Sequence, residues 1–359
     1  MLNPSAITRQ RLSRQQIRAP LFSTPGAVVR WMGAIQAQDY LGSLWAVGLR
    51  LPSAVESDIE EAVAARTIVR TWPMRGTLHF VPAADVRWML RLLTPRVIAR
   101  SAGRYRELGL DAAALSRSRK VVTRALAGGR GLTRAEVYAE LQRGGVSPEG
   151  QRGIHILGHL AQHGLICFGP RKGKQATFVL LEEWLPRSGD ISREESLATL
   201  AERYFASHGP ATVHDFAWWT GLVIKDAQEA IAAAGSALVN ESYEGRRWFS
   251  AAAGARPAAR ARPRAAVLLP PWDEYVVAYK DRSAALDRPV GPVGPLYAIG
   301  LSLVVIDGRV RGSWRRALAG STARVSLDFW TRVTREERRA VERAAQRYGR
   351  FLGRPVQIA

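Results

Sequence analysis

The 359-residue chain has little or nothing of several features that would define its class. Its single cysteine, Cys167, excludes an internal disulfide and fits a reducing compartment. No run of about 18 apolar residues is present, so no membrane-spanning helix is expected. The first twenty residues hold four arginines but no apolar stretch, so we expect no secretory signal. These absences predict a cytoplasmic protein without a membrane partner.

Two catalytic signatures are also missing. No glycine-rich loop is followed by Lys-Ser or Lys-Thr, so nucleotide hydrolysis is not indicated and no nucleotide cofactor is expected. No Gly-x-Ser-x-Gly sequence is present, which removes the usual serine-hydrolase motif. Cys167 lies in an apolar, strand-like run over 165–168 and is predicted to be a core thiol rather than a nucleophile. We expect the protein to work without a cofactor.

Acidic residues are scarce relative to basic ones. Lysine and arginine number 52 and aspartate and glutamate 31, which gives a formal net charge of +21. Because such a surplus repels itself in a compact fold, a polyanionic partner is its natural explanation. Arginine pairs with phosphate through two hydrogen bonds, so we expect the partner to be nucleic acid. The alternative is a general arginine bias in composition.

Three segments repeat a pattern of helix, turn, helix and basic hairpin, and the middle copy is the clearest. Thr133 and Glu136 have the spacing of a capping box, and Gly144-Gly145 should end the helix that they begin. After a second helix, a hairpin is expected at 165–181. This order predicts a winged helix, whose hairpin tip contacts phosphates. The tip carries Arg171, Lys172 and Lys174.

The other two copies are less regular. The third begins near Glu194 and has a second capping-box pattern at Thr212 and Asp215. Its hairpin turns at Glu244-Gly245, and the candidate DNA ligands beside that turn are Arg246 and Arg247. In the first copy, a helix capped by Thr24 is expected to run through Ile35. A hairpin is expected at 67–81 with a four-residue turn at 73–76.

Beyond residue 253 the composition changes. Residues 256–264 are rich in Ala, Pro and Arg, which indicates a linker. Strands are expected at 266–269, 297–306 and 310–314, with Asp307-Gly308 as a two-residue hairpin turn. A final helix is expected at 334–351. This part therefore predicts a smaller, β-rich domain.

The fold class that these patterns predict is α+β, mainly α. We expect winged-helix unit 1 with a connecting helix at 1–117, unit 2 at 118–190, unit 3 at 191–253, and the C-terminal β-rich domain with its terminal helix at 254–359. Most winged-helix regulators carry one unit per chain and dimerise, whereas three in tandem can form one curved basic surface around a duplex. A monomer is expected.

The candidate for chemistry is Gln36-Ala37-Gln38, with Asp39 as a supporting residue. Residues two apart share a face on a strand but not on a helix, so the helix must end or distort here if both amides are to converge. Taken alone, two glutamines are also consistent with an ordinary polar helix end.

Three motifs together resemble the AlkZ-type winged-helix DNA glycosylases. The first is the Gln-Φ-Gln motif, in which Φ is an apolar residue, here Ala37. The second and third resemble further family signatures at 70–79 and at 268–275, the latter leading to 279–282. The three occur in family order over most of the chain. A related branch has Asp in place of the second Gln, and here Asp39 follows Gln38 directly.

The resemblance implies tandem winged helices in a C-shaped arrangement with a small β-barrel-like domain at the C-terminal end. It also implies hydrolysis of N-glycosidic bonds of alkylated purines in duplex DNA, and action on interstrand crosslinks. Glutamine suits this chemistry, because a purine alkylated at N7 or N3 is cationic and leaves as a neutral base. The amide oxygens of Gln36 and Gln38 would orient the attacking water. Full base flipping would not be needed.

Other residues have alternative interpretations. Four cations are candidate phosphate ligands, with ordinary solvated charge as the alternative: Arg70, Arg75, Lys280 and Arg282. His155, His159 and His163 have helical spacing that could bind zinc, but no further ligand is near in sequence, so we expect a polar stripe facing DNA and no metal. Asp273 and Glu274 could form an acid/base pair, but are expected to position Lys280 or Arg282 or to cap a turn.

Two functional classes follow from these observations. A monofunctional glycosylase would release damaged bases from double-stranded DNA, and in the cytoplasm it would be associated with the nucleoid. A winged-helix transcription regulator would bind a particular sequence without releasing a base. The Gln-Ala-Gln segment separates the two classes, because a regulator does not need it. A DNA-binding protein that has lost catalytic activity is a third alternative.

Overall fold

The structure, a computed structural model, describes residues 1–186, 189–252, 265–286 and 300–359. The chain divides into two compact lobes. Lobe 1 contains Met1–Ile59 and Leu197–Ala359, and lobe 2 contains Glu60–Ser196. Helices and strands are mixed in both, which agrees with the predicted α+β class. The four segments predicted from the sequence have different bounds from these two lobes, and they stay a prediction. The winged-helix assignment and the C-shaped arrangement also stay predictions.

Lobe 2 is built from helices packed with two antiparallel hairpins. Its helices are α5 (Val86–Glu107), α6 (Ala112–Leu126), α7 (Arg134–Arg143), α8 (Arg152–Gln162) and α9 (Leu181–Trp184). Its strands are β2 (Ile68–Met74), β3 (Thr77–Pro82), β4 (Leu132–Thr133), β5 (Ile166–Lys172) and β6 (Gln175–Leu180). The predicted hairpin forms β5 and β6, and the order β4-β6-β5 places β6 in the middle of a three-stranded sheet with β5 at one edge.

The local sequence explains the start of α7 and the core beneath it. Both hydrogen bonds of the predicted capping box are present, because Thr133 Oγ1 accepts from the Glu136 amide and Glu136 accepts from the Thr133 amide. Apolar side chains of these helices and hairpins form one buried cluster that includes Leu157, Leu160 and Phe178. Cys167 is buried, and burial raises the pKa of its thiol to about 12, which confirms a core thiol.

Lobe 1 contains the chain termini and a larger sheet. Its helices are α1 (Pro4–Arg14), α2 (Pro25–Met32), α3 (Tyr40–Gly48), α11 (Val213–Thr220), α12 (Ile224–Ala234), α13 (Glu274–Val277) and α14 (Arg335–Leu352). The chain passes between the lobes within α4 (Glu56–Ala64) and again within α10 (Arg193–His208). The strands before the sheet are β1 (Ile35–Gln36), β7 (Leu238–Tyr243) and β8 (Arg246–Ala251).

The C-terminal sheet of lobe 1 has five strands in the order β13-β12-β11-β10-β9. These strands are β9 (Ala266–Leu269), β10 (Leu303–Ile306), β11 (Arg309–Ala319), β12 (Thr322–Phe329) and β13 (Val356–Ile358). Neighbours are antiparallel except for β12 and β13, which are parallel. The predicted Asp307-Gly308 turn is confirmed, whereas β12 and β13 were not predicted.

Three hairpins turn through two residues of positive φ, with glycine second. The pairs are Arg75-Gly76, Glu244-Gly245 and Asp307-Gly308. Positive φ at both positions matches the twist of the flanking strands, and glycine adopts it without a steric cost. The prediction of a four-residue turn at 73–76 is therefore wrong, because β2 continues to Met74 through an irregular register.

Three other predictions concern the end of α2, the strand at 297–306 and the linker at 256–264. Helix α2 ends at Met32 instead of Ile35, because Gly33 adopts a φ of +76° and leaves the helix. Of the strand predicted at 297–306, the structure has 303–306, and the part before residue 300 lies outside the described residues. The linker predicted at 256–264 also lies outside them. No helix in the described part of the chain is long and apolar enough to cross a membrane.

Candidate active site

Gln36 ends the short strand β1, and Gln38 lies in the bend between β1 and helix α3 of lobe 1. Helix α2 ends before β1 (Ile35–Gln36), and Asp39 begins α3 by accepting a hydrogen bond at 3.0 Å from the Gly42 amide. The helix ends before the motif, as convergence of the two amides would require, but the strand ends at Gln36 and does not include Gln38. Gln36 is 8% exposed, whereas Gln38 lies at the surface.

The side chain of Gln36 has an unusual hydrogen-bonding state. Its amide oxygen Oε1 is buried, and within the described residues no group donates a hydrogen bond to it. Leaving such an acceptor without a donor costs about 1–3 kcal/mol, so buried exceptions call for an explanation. An amide oxygen accepts but cannot give up a proton. Gln36 Oε1 can therefore accept a hydrogen bond from a donor that gains access to it.

Glu274 holds the backbone of Gln36 in place. Its carboxylate oxygen Oε1 accepts a hydrogen bond at 2.7 Å from the Gln36 amide nitrogen. The second oxygen, Oε2, accepts at 2.9 Å from Nε1 of Trp219 on α11. Glu274 is completely buried, and hydrogen bonds to a buried carboxylate are among the strong ones. The three residues form a rigid support under β1.

The aromatic and histidine side chains around Glu274 stay neutral. His208 Nε2 lies 3.7 Å from Glu274 Oε2, and its ring stacks on Tyr204 at 4.8 Å between centroids. Burial lowers the pKa of His208, although Glu274 opposes the shift. Burial also raises the pKa values of Tyr204 and Tyr279. These groups therefore support the site by packing and hydrogen bonding instead of exchanging protons near neutral pH.

A second buried ion pair lies beside Glu274 in sequence. Asp273 accepts two hydrogen bonds at 2.8 Å from Arg50, one on each carboxylate oxygen. Arg50 also donates to Gln15 Oε1 at 2.9 Å. Asp273 Oδ1 accepts from the Tyr275 amide and so caps α13, which confirms the predicted turn cap. The sequence analysis also predicted that Asp273 and Glu274 position Lys280 or Arg282. None of the bonds described above involves Lys280 or Arg282.

The sequence analysis missed four members of this support: Gln15, Arg50, His208 and Trp219. They come from separate parts of the chain, and none belongs to a recognisable local motif. Trp219 is fully buried, and its Nε1 donor serves Glu274. The only signal in the sequence was the motif over 268–275, which contains Asp273 and Glu274.

The predicted DNA ligands in lobe 1 differ in accessibility. Arg247 and Lys280 are exposed. Arg246 is also exposed, but its guanidinium pairs with Asp281 at 2.7 Å. Arg282 is 8% exposed, and its guanidinium donates to the Val276 carbonyl and lies over the Trp218 ring at 5.1 Å. The geometry thus favours Arg247 and Lys280 as phosphate contacts.

The predicted DNA ligands in lobe 2 also differ in accessibility. Lys174 is exposed at the hairpin tip. Arg171 pairs with Glu60 at 3.0 Å and Lys172 with Glu136 at 3.5 Å. Arg70 is 8% exposed and lies over the Phe168 ring at 4.7 Å. Arg75 occupies its turn and approaches His79 Nε2 at 3.3 Å. Their contacts with DNA stay predictions.

The histidines of α8 contact aromatic rings. Tyr105 packs edge-on against His155 and His159, and the rings of His159 and His163 are 4.1 Å apart. Burial lowers the pKa of His159 to about 4, so it is neutral at physiological pH. Within the described ranges, no three His, Cys, Asp or Glu side chains are grouped so that they could hold a metal ion.

Comparisons with known proteins point to one family. The profile of the family described as DNA glycosylase AlkZ-like matches residues 29–351. A curated relative, "Interstrand DNA cross-link repair glycosylase" from Streptomyces sahachiroi, is 26% identical over 336 residues, which is 85% of each chain. A solved structure, "Streptomyces sahachiroi DNA glycosylase AlkZ", is similar in fold, with a TM-score of 0.78 at 24% identity over the whole of both chains.

Proposed function

Because the chain belongs to the AlkZ-like DNA glycosylase family, we propose that it hydrolyses the N-glycosidic bond of N-alkylated, cationic purines in duplex DNA. Gln36 and Gln38 orient the attacking water in this proposal, and Asp39 supports them by capping α3. The observation that carries the assignment is the buried Oε1 of Gln36, which no described residue satisfies. A site that must hold a water needs such an acceptor.

The proposed reaction depends on the positive charge of the lesion. Alkylation at N7 or N3 weakens the bond between C1′ and the base nitrogen. When that bond breaks, its electron pair goes to the purine, which leaves as a neutral molecule. The water then forms the new bond to C1′ and loses a proton to solvent. A general acid for the leaving base is not required, which suits a site whose His208 and tyrosines stay neutral.

The contribution of the protein is orientation and electrostatic support. An amide oxygen held in a fixed position can place a water beneath C1′, and such positioning can supply several kcal/mol. The buried carboxylate of Glu274 fixes the backbone at Gln36, so the amide is not free to drift. A glutamine is too weak a base to activate water strongly. We therefore expect rapid action on labile cationic lesions and poor action on neutral damaged bases.

Two finer parts of the proposal concern substrate and product. The relative from Streptomyces sahachiroi is named for interstrand cross-link repair, which supports crosslinked duplexes as substrates here as well. Water is the nucleophile in this mechanism, and no lysine forms a Schiff base. The enzyme is then monofunctional, so it should leave an abasic site without cutting the strand.

The test is base release from a duplex that contains one N7-methylguanine. We expect wild type to produce an abasic site that breaks only after alkali treatment. The Gln36→Ala/Gln38→Ala variant should release base at least about tenfold more slowly, which corresponds to about 1.4 kcal/mol of transition-state stabilisation. Its affinity for the duplex, measured by fluorescence anisotropy, should be unchanged. Gln346→Ala on α14 removes an exposed amide and serves as the matched control.

The alternative function is a winged-helix regulator, and the high positive charge is equally consistent with it. A regulator would bind one sequence tightly and release no base from methylated or crosslinked duplexes. That result with wild type would overturn the enzyme assignment. Base release that is unaffected by the double substitution would instead keep the enzyme but remove the proposed site.

A further inference from the structure

Helix α14 separates an apolar side from a row of arginines. Its buried side includes Val341 and Ala345. The arginine face, as we call the opposite side, is defined by three exposed residues: Arg339, Arg343 and Arg350. They follow one another at four and seven positions, which places them on one side of a helix. Within the described ranges, no salt bridge occupies any of the three guanidinium groups.

A pocket of 320 Å³ lies at the C-terminal end of the arginine face. Arg350 lines both this pocket and the groove that runs along the face. The loop between α3 and α4 also lines the pocket, and there Pro52 is exposed and Val55 is 41% exposed. The volume is at the lower end of the range of about 300–1,000 Å³ that is typical of ligand pockets. One large apolar side chain would fill it.

Contacts between α3, α14 and the loop fix the shape of this pocket. Arg347 donates to the carbonyls of Leu49 and Leu51 at 2.7 and 2.8 Å, which ties the loop to α14. At the end of α3, a Cβ added to Gly48 would overlap the ring of Phe351, so the two helices are in close contact. The pocket is therefore formed before a ligand arrives, and little ordering remains to be done on binding.

The charges of this surface favour an acidic ligand. Four arginines and two carboxylates line the pocket and the groove: Arg339, Arg343, Arg347, Arg350, Asp58 and Glu342. The lining therefore has a net charge of 4 − 2 = +2. The carboxylate of Asp58 already accepts a hydrogen bond at 2.8 Å from the Val55 amide. A ligand that matches the whole surface needs negative charge along the arginine face and an apolar group at its end.

An acidic peptide meets both requirements, whereas a DNA duplex meets one. A duplex presents phosphates but keeps its bases stacked inside, so it would leave the apolar pocket unfilled. Arg339 and Arg350 lie about 16 Å apart along the helix axis, a length that about five extended residues span. A short acidic segment with one apolar residue beside it therefore fits the dimensions of the surface.

We propose that the arginine face and the adjoining pocket bind an acidic peptide segment of a partner protein. Its carboxylates pair with the guanidinium groups, and an apolar side chain enters the pocket as the anchor. No residue of the candidate active site lines this surface, so the inference goes beyond base release. The surface would bring the enzyme to another protein while its reaction site stays open to DNA.

The probe for this surface is a fluorescein-labelled peptide of about five aspartates with a phenylalanine at each end, matched to the span of the face. The control peptide has alanine at both ends. We measure the Kd of each peptide for the full-length protein by fluorescence anisotropy. Wild type should bind the phenylalanine peptide about tenfold more tightly, because only this peptide fills the pocket. Equal affinities or no binding would overturn the inference.

Two double variants test whether the arginine face is the site. Arg343→Gln/Arg350→Gln should weaken binding of the phenylalanine peptide about tenfold. Arg247→Gln/Lys280→Gln changes the net charge by the same amount elsewhere in lobe 1 and should weaken it less than about twofold. Equal losses would mean that the overall charge attracts the peptide, and the assignment to α14 would then be wrong.

Val55→Asp tests the pocket itself. The charged side chain should reduce the advantage of the phenylalanine peptide from about tenfold to less than about twofold. Val239→Asp on β7 is the matched control, because Val239 is 51% exposed and lies outside the pocket lining. It should keep the full advantage. Unchanged thermal midpoints in both variants would exclude damage to the fold, and an undiminished advantage in Val55→Asp would place the phenylalanine elsewhere.

DNA binding and base release separate this inference from the alternatives. Arg343→Gln/Arg350→Gln should bind unmodified duplex and release N7-methylguanine as wild type does. If this variant lost affinity for duplex but not for the peptide, the arginine face would be a DNA contact and the peptide assignment would be overturned. Peptide binding by a protein that releases no base would support this inference and overturn only the proposed function.

Discussion

At the scale of single residues, the carboxylate of Glu274 gives a sharp prediction. It accepts hydrogen bonds from the Gln36 amide and from the Trp219 indole. Glu274→Gln keeps the size of the side chain but replaces one acceptor oxygen by an NH₂ group. One of the two donors then faces another donor, which costs about 1–3 kcal/mol in a buried site. We expect a lower urea midpoint and base release reduced about tenfold.

The control for this substitution is Glu241→Gln on β7. Glu241 is exposed, so the same chemical change should alter the free energy of unfolding by no more than about 0.5 kcal/mol and leave base release unchanged. If Glu274→Gln matched wild type in both measurements, Glu274 would not be needed to hold Gln36.

The limits of sequence reasoning at this scale follow from chain separation. Gln36 and Glu274 are 238 positions apart, and Arg50 and Asp273 are 223 apart. Local patterns carry no information about such pairs, so the residues could be singled out but their contacts could not. The resemblance to a family identified Gln36 and Gln38, whereas composition and spacing alone left them as an ordinary polar segment.

At the scale of elements, the end of α2 connects backbone geometry to the candidate site. Gly33 has a φ of +76°, and a Cβ added there would lie 3.3 Å from Cη2 of Trp219. Gly33→Ala therefore combines about 1–3 kcal/mol of backbone strain with displacement of the indole that binds Glu274. We expect lower thermal stability together with slower base release.

Gly353→Ala is the matched variant for this prediction. Gly353 also ends a helix at positive φ, +63°, but an added Cβ there meets nothing within 4 Å. It should lose stability through backbone strain alone and keep the activity of wild type. Equal losses of activity in the two variants would show that Trp219 does not transmit the effect to the site.

Elements with a local chemical cause were the predictable ones. The capping boxes at Thr133 and Thr212 and the turn at Asp307-Gly308 are confirmed, because each depends on residues within four positions. The end of α2 was predicted wrongly, since an apolar pattern continues past Gly33 to Ile35. Strand β13 was missed because it is three residues long and exists only through pairing with β12.

At the scale of the whole molecule, the net charge of +21 overstates the number of phosphates that the protein can contact. Arg11 and Arg50 are 2% and 0% exposed, and their guanidinium groups bond within lobe 1. Other cations are paired with carboxylates at the surface. Charge predicted the class of partner, but which cations meet DNA depends on exposure, which a composition does not contain.

The salt dependence of DNA binding measures the number of contacts directly. Each phosphate neutralised releases counterions and contributes about −0.9 to the slope of log K against log salt concentration. Arg247 and Lys280 are exposed in lobe 1. Arg247→Gln/Lys280→Gln should therefore reduce the magnitude of the slope by about 1.8 and weaken binding to all sequences alike.

A second pair of substitutions separates local contact from overall charge. Arg339→Gln/Arg343→Gln removes two exposed cations from α14 and changes the net charge by the same amount. If the long-range field alone governed affinity, both pairs would shift binding equally. We expect the slope of the α14 pair to stay near that of wild type, because these two residues are not assigned to the DNA surface. Equal slopes for both double variants would instead mean that Arg247 and Lys280 contact no phosphate, and the hairpin β7–β8 would lose its proposed place at the duplex.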